Sequence, residues 1–90
     1  MTVEFDKSFD KWLSKINNKP LLDRIEKVIL QMESAESIQQ IRNVRKLVGF
    51  ETYYRVKLGN HRIGFERINK STIRLIIIAD RKDIYKNFPK

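Results

Sequence analysis

YRVKLGNHRIGF, residues 54–65, decides the fold. It alternates apolar and basic residues, turns on Gly59-Asn60, and alternates again. Period-two alternation on both sides of such a pair signals a β-hairpin with a two-residue type I′ or II′ loop. That loop fixes the pairing: Lys57 opposite Arg62, Val56 opposite Ile63, Arg55 opposite Gly64, and Tyr54 opposite Phe65. Tyr54, Val56, Ile63 and Phe65 then share one face, which can be buried. Arg55, Lys57 and Arg62 share the other. A slip of one residue would mix apolar and charged side chains on both faces, so the hydrophobic pattern enforces this register. Folding needs only the apolar face. Like charges at neighbouring strand positions repel, so the basic face calls for a separate reason.

Toward the C-terminus, Lys70-Ser71 reads as the next turn. It pairs Ile68 with Ile73, Phe65 with Ile76, Ile63 with Ile78 and Arg62 with Ala79. Ala79 then lies on the basic face together with Leu75 and Ile77, and Arg81, two residues on, inherits that face. Three segments therefore send cations to one place. Gly64 and Ala79 are small and leave a floor there for a ligand, since a strand glycine marks close approach. His61 and Asp80 have the opposite parity: His61 reads as a partly exposed edge residue, and Asp80 as a cap for the turn that follows. Residues 80–88 read as a loop leading to a short helical turn. There Phe88 anchors to the sheet, while Tyr85 suits either anchoring or stacking on a base.

Toward the N-terminus, residues 46–48 read as a strand beginning, residues 49–52 as a bulge or turn, and residues 53–58 as its extended continuation. Residues 34–43 lack a clean period and read as a loop with a helical turn. Leu21, Leu22, Ile25, Val28, Ile29 and Met32 form the apolar stripe of a helix opened by Pro20. Phe9, Trp12, Leu13 and Ile16 form a shorter stripe capped by Asp6 or Ser8, and Phe9 and Trp12 read as core. The two helices read as an antiparallel hairpin, broken at Asn17-Asn18-Lys19, and residues 2–5 as a first strand. The order is strand, two helices, then three or four antiparallel strands: an α+β domain with helices on one sheet face.

Ninety residues suit one domain. The 19 lysines and arginines against 11 acids leave a net charge of +8, which points to a polyanionic partner. The chain has no cysteine and one histidine, so disulfide scaffolds, thiolate metal sites and histidine-rich metal sites are excluded. The start is not a signal peptide and no apolar run is long enough for a membrane span. A cytoplasmic protein without membrane contact is expected.

A purely cationic site suits phosphate. Arginine grips phosphate oxygens bidentately, and lysine is a point charge that shifts its proton affinity when crowded. RNA carries its own nucleophile, the 2′-OH. Cleavage then needs a base for that hydroxyl, stabilisation of charge on the phosphorane-like transition state, and a proton for the leaving oxygen.

With RKLVG, then YYRVKLGNHRIGFE, then a strand ending IADRKDIYKNF, the chain resembles the RelE/ParE superfamily of toxins from bacterial and archaeal toxin–antitoxin systems. The resemblance covers nearly the whole length. It implies a microbial RNase-type fold with no cofactor. For RelE-like members it implies metal-independent cleavage of mRNA in the ribosomal A site, and neutralisation by an acidic, partly disordered antitoxin. By that resemblance Arg55 and Lys57 match the family's paired basic positions, Arg62 its arginine after the turn, Arg81 its arginine ending the last strand, and Tyr85 its C-terminal tyrosine. The resemblance thus implies Lys57, Arg62, Arg81 and Tyr85 as catalytic, and Arg55, Lys57, Arg62 and Arg81 as RNA-binding. The founding toxin has lysine where this chain has Arg55, which makes Lys57 the better base. The histidines of other branches have no clear counterpart, because His61 has the wrong parity. The alternative within the superfamily is a ParE-like toxin that poisons DNA gyrase without a nuclease site; a non-catalytic RNA-binding or antitoxin-like module is the third reading.

Overall fold

A computed structural model describes residues 1–89. The chain runs β1 (Thr2–Phe5), α1 (Lys7–Leu13), α2 (Lys19–Ser34), a 3-10 turn (Ile38–Gln40), β2 (Val44–Lys46), β3 (Tyr53–Leu58), β4 (His61–Asn69), β5 (Thr72–Asp80) and α3 (Ile84–Asn87). The strands form one sheet in the order β1-β5-β4-β3-β2. β1 lies parallel to β5 at one edge, and every other pair is antiparallel. This is the expected α+β arrangement, with the N-terminal strand joined to the same sheet. No helix among the described residues is long and apolar enough to cross a membrane.

Local chemistry sets the helix ends. The Asp6 carboxylate accepts from the Ser8 backbone N–H at 3.0 Å and so caps α1. Asn18 does the same for α2 through the Leu21 N–H at 3.1 Å, and Pro20 occupies its first turn, where a missing N–H costs nothing. The buried faces of both helices cover one side of the sheet. Phe9, Ile25 and Met32 pack there with Val56, Ile63, Phe65, Ile73 and Leu75. The Tyr54 and Phe65 rings stack at 5.4 Å across the hairpin.

The β3–β4 register is the expected one, from Tyr54 opposite Phe65 to Lys57 opposite Arg62. The β4–β5 register agrees only at the end near the hairpin turn. Arg62 faces Ala79 and Ile63 faces Ile78, but Phe65 faces Leu75 instead of Ile76, and Arg67 instead of Ile68 faces Ile73. Register shifts between Gly64 and Phe65 and between Arg67 and Asn69 leave Ile76 and Ile68 as extra residues in the two strands. A bulge reverses side-chain parity beyond it. Leu75 therefore lies in the helix-side core and not on the basic face. The Ser8 hydroxyl lies 2.7 Å from Asp6 Oδ2 and 2.6 Å from the Ile76 carbonyl, so its single proton is shared between the helix cap and an oxygen at the irregularity.

A second, smaller cluster covers part of the opposite face: Ile77, Ala79, Ile84 and Phe88. Phe88 anchors as expected. A Cβ on Gly64 would lie 2.7 Å from two Phe88 ring carbons and 2.8 Å from Ile77 Cγ2. The floor at Gly64 is thus filled by the protein's own C-terminal ring and is not open to a ligand.

Candidate active site on the basic sheet face

Strand alternation sends Arg55, Lys57 and Arg62 to the face away from the helices. Lys57 and Arg62 are direct cross-strand neighbours, and Arg55 lies two residues along β3, opposite Gly64. Arg62 Nη1 donates to the Gly59 and His61 carbonyls, each at 2.9 Å. These bonds hold its guanidinium over the hairpin turn. Arg55 Nη1 donates to the Asn43 carbonyl at 3.0 Å, which also accepts from the Lys57 backbone N–H at 3.2 Å. Asn43 has φ 62°, a left-handed conformation that asparagine tolerates better than most residues.

Arg81 reaches the same end of the sheet. Its backbone N–H donates to the Asn60 carbonyl at 2.9 Å, tying the end of β5 to the β3–β4 turn. The Asp80 carboxylate accepts from Lys82 N at 2.9 Å and Asp83 N at 3.0 Å. It therefore caps the following turn, as its parity implied, and does not face the cations. Tyr85 is 56% exposed on α3 and borders a groove shared with Arg55. His61 pairs with Leu58, which is buried in the helix-side core; it stands on the face away from the cations, as expected.

The structure thus sets Lys57 and Arg62 side by side next to the turn, with the Arg81 backbone bonded to that turn and Arg55 and Tyr85 bordering a groove toward β2. None of the four cations has a carboxylate within ion-pair distance among the described residues. The ion pairs found there are Lys19–Asp23 and Arg74–Glu4. Their positive potential is left free for an anion. Among the described residues there is no group of three or more His, Cys, Asp or Glu able to hold a metal ion.

A fifth cation escaped the sequence reading. Arg45 lies directly opposite Arg55, and both border a polar recess with Lys57. The apolar pair Leu47-Val48 pulls the expected strand to residues 46–48, whereas β2 ends at Lys46. The signal that reveals it is the step Val44-Arg45, which mirrors Val56-Arg55 across the ladder.

No family model matches the chain. Toxin RelE3 of Methanocaldococcus jannaschii is 34% identical over 90 residues, covering 99% of this chain and 100% of the relative. A crystal structure of a RelB–RelE antitoxin–toxin complex from Methanococcus jannaschii contains a chain with TM-score 0.78 and 32% identity, over 96% of this chain and 99% of that one. The toxin–antitoxin complex RelBE2 of Mycobacterium tuberculosis matches in fold, with TM-score 0.69 and 17% identity over 89% of this chain and 96% of that one.

Proposed function

The chain belongs to the RelE family of toxins, and on that premise we propose that it is the toxin of a type II toxin–antitoxin system, an endoribonuclease that cuts mRNA on the ribosome. The carrying observation is that Arg55, Lys57 and Arg62 share one sheet face, that the Arg81 backbone is tied to the hairpin turn beside them, and that none of the four has a paired carboxylate among the described residues. Such a set stabilises the charge that builds on a phosphorane-like transition state. The 2′-oxygen gives up its proton as it bonds to the adjacent phosphorus, the bond from phosphorus to the 5′-oxygen breaks, and the leaving oxygen takes a proton from water, giving a 2′,3′-cyclic phosphate and a 5′-OH. Lys57 is the one amine of the four; guanidinium groups stay protonated, so Lys57 is the group suited to take the hydroxyl proton. Arg62 is held over the turn by two carbonyls, and with Arg81 it grips the phosphate oxygens. Tyr85 stacks on a base beside them. Lysine and arginine are weak acid–base catalysts, so much of the rate must come from the orientation of the message. This accounts for a requirement for the ribosome.

The cognate antitoxin is an acidic, partly disordered chain, complementary to the net charge of +8. The RelB–RelE complex among the similar structures supports such a partner. Arg62→Ala and Arg81→Ala should each lower cleavage of translated messages by about 100-fold or more, the scale of losing one group that stabilises an oxyanion. His61→Ala should cut like the unmodified protein. Primer extension after induced expression reads all three. Full cleavage by both arginine variants would overturn the site. Intact messages with gyrase-linked DNA breaks would overturn the nuclease.

A further inference from the structure

We infer that Asn43 is a positioning residue for the nuclease: the bend of the chain there aims its carbonyl at Arg55, and Gln31 of α2 holds that bend in place. The inference rests on the nuclease reading above and adds to it how Arg55 is kept where it can meet a phosphate. Arg55 needs such help. Arg45 lies directly opposite it across the β2–β3 ladder. Lys57 lies two residues along its own strand and so on the same face. All three border one polar recess, and none has a carboxylate at ion-pair distance among the described residues. Like charges at neighbouring strand positions repel. Left to itself, so flexible a side chain would turn its charge away from the other two.

A single oxygen prevents this. The Asn43 carbonyl accepts from Arg55 Nη1 at 3.0 Å and from the Lys57 backbone N–H at 3.2 Å, which uses both of its lone pairs. The bond to Arg55 is charge-assisted and so the stronger. The bond to Lys57 locks the carbonyl to the strand that carries both cations. A guanidinium presents its N–H groups in a rigid plane, so tying Nη1 fixes the fork and leaves its other donors for phosphate oxygens. A donor placed in advance does not have to reorganise as charge builds. The direction of the carbonyl comes from the backbone. Asn43 has φ 62°, which asparagine and glycine accept and a β-branched residue does not. The place of the bend comes from α2. Gln31 Nε2 donates to the Gln40 carbonyl at 2.9 Å, and Gln31 Oε1 accepts from the Arg42 backbone N–H at 3.2 Å. One side-chain amide thereby holds the chain on both sides of Ile41, immediately before Asn43. Each link from Gln31 through residues 42 and 43 to the guanidinium is a covalent or a hydrogen bond.

The test is single-turnover cutting of a short message on programmed ribosomes, with Asn43 changed alone and together with Arg55. Asn43→Val forces the bend open and should slow cutting on the order of tenfold, since misplacing a group by about 1 Å can cost up to about 100-fold. Asn43→Gly, the conservative variant for this backbone, should cut within about threefold of the unmodified protein. Gln31→Leu removes both latch bonds at similar side-chain size and should slow cutting by about threefold to tenfold. The double change is decisive. A residue that acts through Arg55 loses its effect once Arg55 is gone. Adding Asn43→Val or Gln31→Leu to Arg55→Ala should therefore slow cutting by less than about twofold further. A merely structural role would slow both backgrounds alike, and that outcome overturns the inference. Asn43→Val cutting at the unmodified rate overturns it, as does Asn43→Gly cutting as slowly as Asn43→Val, which would put the effect in the side chain. Arg55→Ala at the unmodified rate also overturns it, because nothing would be left to position. Thermal melts read folding; if Asn43→Val melts early, Gln31→Leu, which keeps Asn43, carries the same double-change prediction. An intact message after incubation with the unmodified protein overturns the nuclease reading itself, and this inference with it.

Discussion

Gly64 shows how one atom can couple the site to its support. It is buried on β4, and the Phe88 ring and Ile77 lie against the place a Cβ would take. Alanine in place of glycine usually gains about 0.4–1 kcal/mol by restricting the unfolded chain. Overpacking a filled core costs about 1–3 kcal/mol. Because Phe88 is only 2% exposed, its ring has little room to retreat, and the second effect wins. Gly64→Ala should therefore lower stability by about 1–2 kcal/mol, read as a lower urea midpoint with an unchanged m-value. It should also lower cleavage, because the displaced ring belongs to the segment that carries Tyr85. A midpoint equal to or above that of the unmodified protein would show that the C-terminal turn is only loosely laid on the sheet. His61 makes the opposite point at the same scale. It is the side chain whose chemistry most invites a catalytic role, and strand parity alone removes it to the helix face.

Among the elements, α1 depends on its cap. Two hydrogen bonds from Ser8, one from its hydroxyl and one from its backbone N–H, hold the Asp6 carboxyl below its usual range, with Arg74 and Lys7 adding to the effect against a small desolvation. The sign follows from linkage. A carboxyl lowered in the folded state contributes stability that is full above its unfolded value, about pH 4, and is lost as pH falls through the folded one. Asp6→Ala should cost about 1 kcal/mol at pH 7, and the gap should shrink as pH drops below about 4. Urea denaturation of both proteins from pH 7 to pH 2 measures it; a gap of constant size would show that the charge of Asp6 has no part in the cap. The place of this cap, at Asp6 or Ser8, the Pro20 helix start and the β3–β4 register are all legible in the sequence, because each rests on local contacts; that Asp6 accepts and Ser8 donates is settled by the fold. The β4–β5 bulges are not legible. Leu75, Ile76, Ile77 and Ile78 are all apolar, so no pattern of polarity marks where the parity reverses. What decides it is long-range: Leu75 joins the helix-side core that holds Phe9 and Met32, and Ile77 joins the Phe88 cluster on the other face. The basic face itself survived, because Arg55, Lys57, Arg62 and Ala79 all lie on the hairpin side of the bulge. Arg45 lies outside the expected strand because β2 starts at Val44, two residues before the apolar pair makes a strand visible.

Across the whole molecule, charge is distributed with a purpose that its total conceals. A net charge of +8 would attract any polyanion from any direction if it were spread evenly. Instead two cations away from the site are matched, Lys19 on α2 by Asp23 and Arg74 near the far end of β5 by Glu4, whereas Arg55, Lys57, Arg62 and Arg81 have no carboxylate at ion-pair distance among the described residues. Binding to single-stranded RNA should therefore release counterions mainly at the basic face. Each phosphate neutralised adds about −0.7 to the slope of log K against log salt, and four cations predict a slope near −3. Arg55→Ala should flatten this slope by about 0.7. Lys19→Ala, which removes the same charge from α2, should leave the slope within error while lowering affinity only slightly through the general field. Fluorescence anisotropy with a short, uncleavable 2′-O-methyl RNA from 50 to 300 mM salt separates the two. Equal flattening by both substitutions would mean that the RNA senses net charge alone, and the basic face would lose its standing as the place where the message lies.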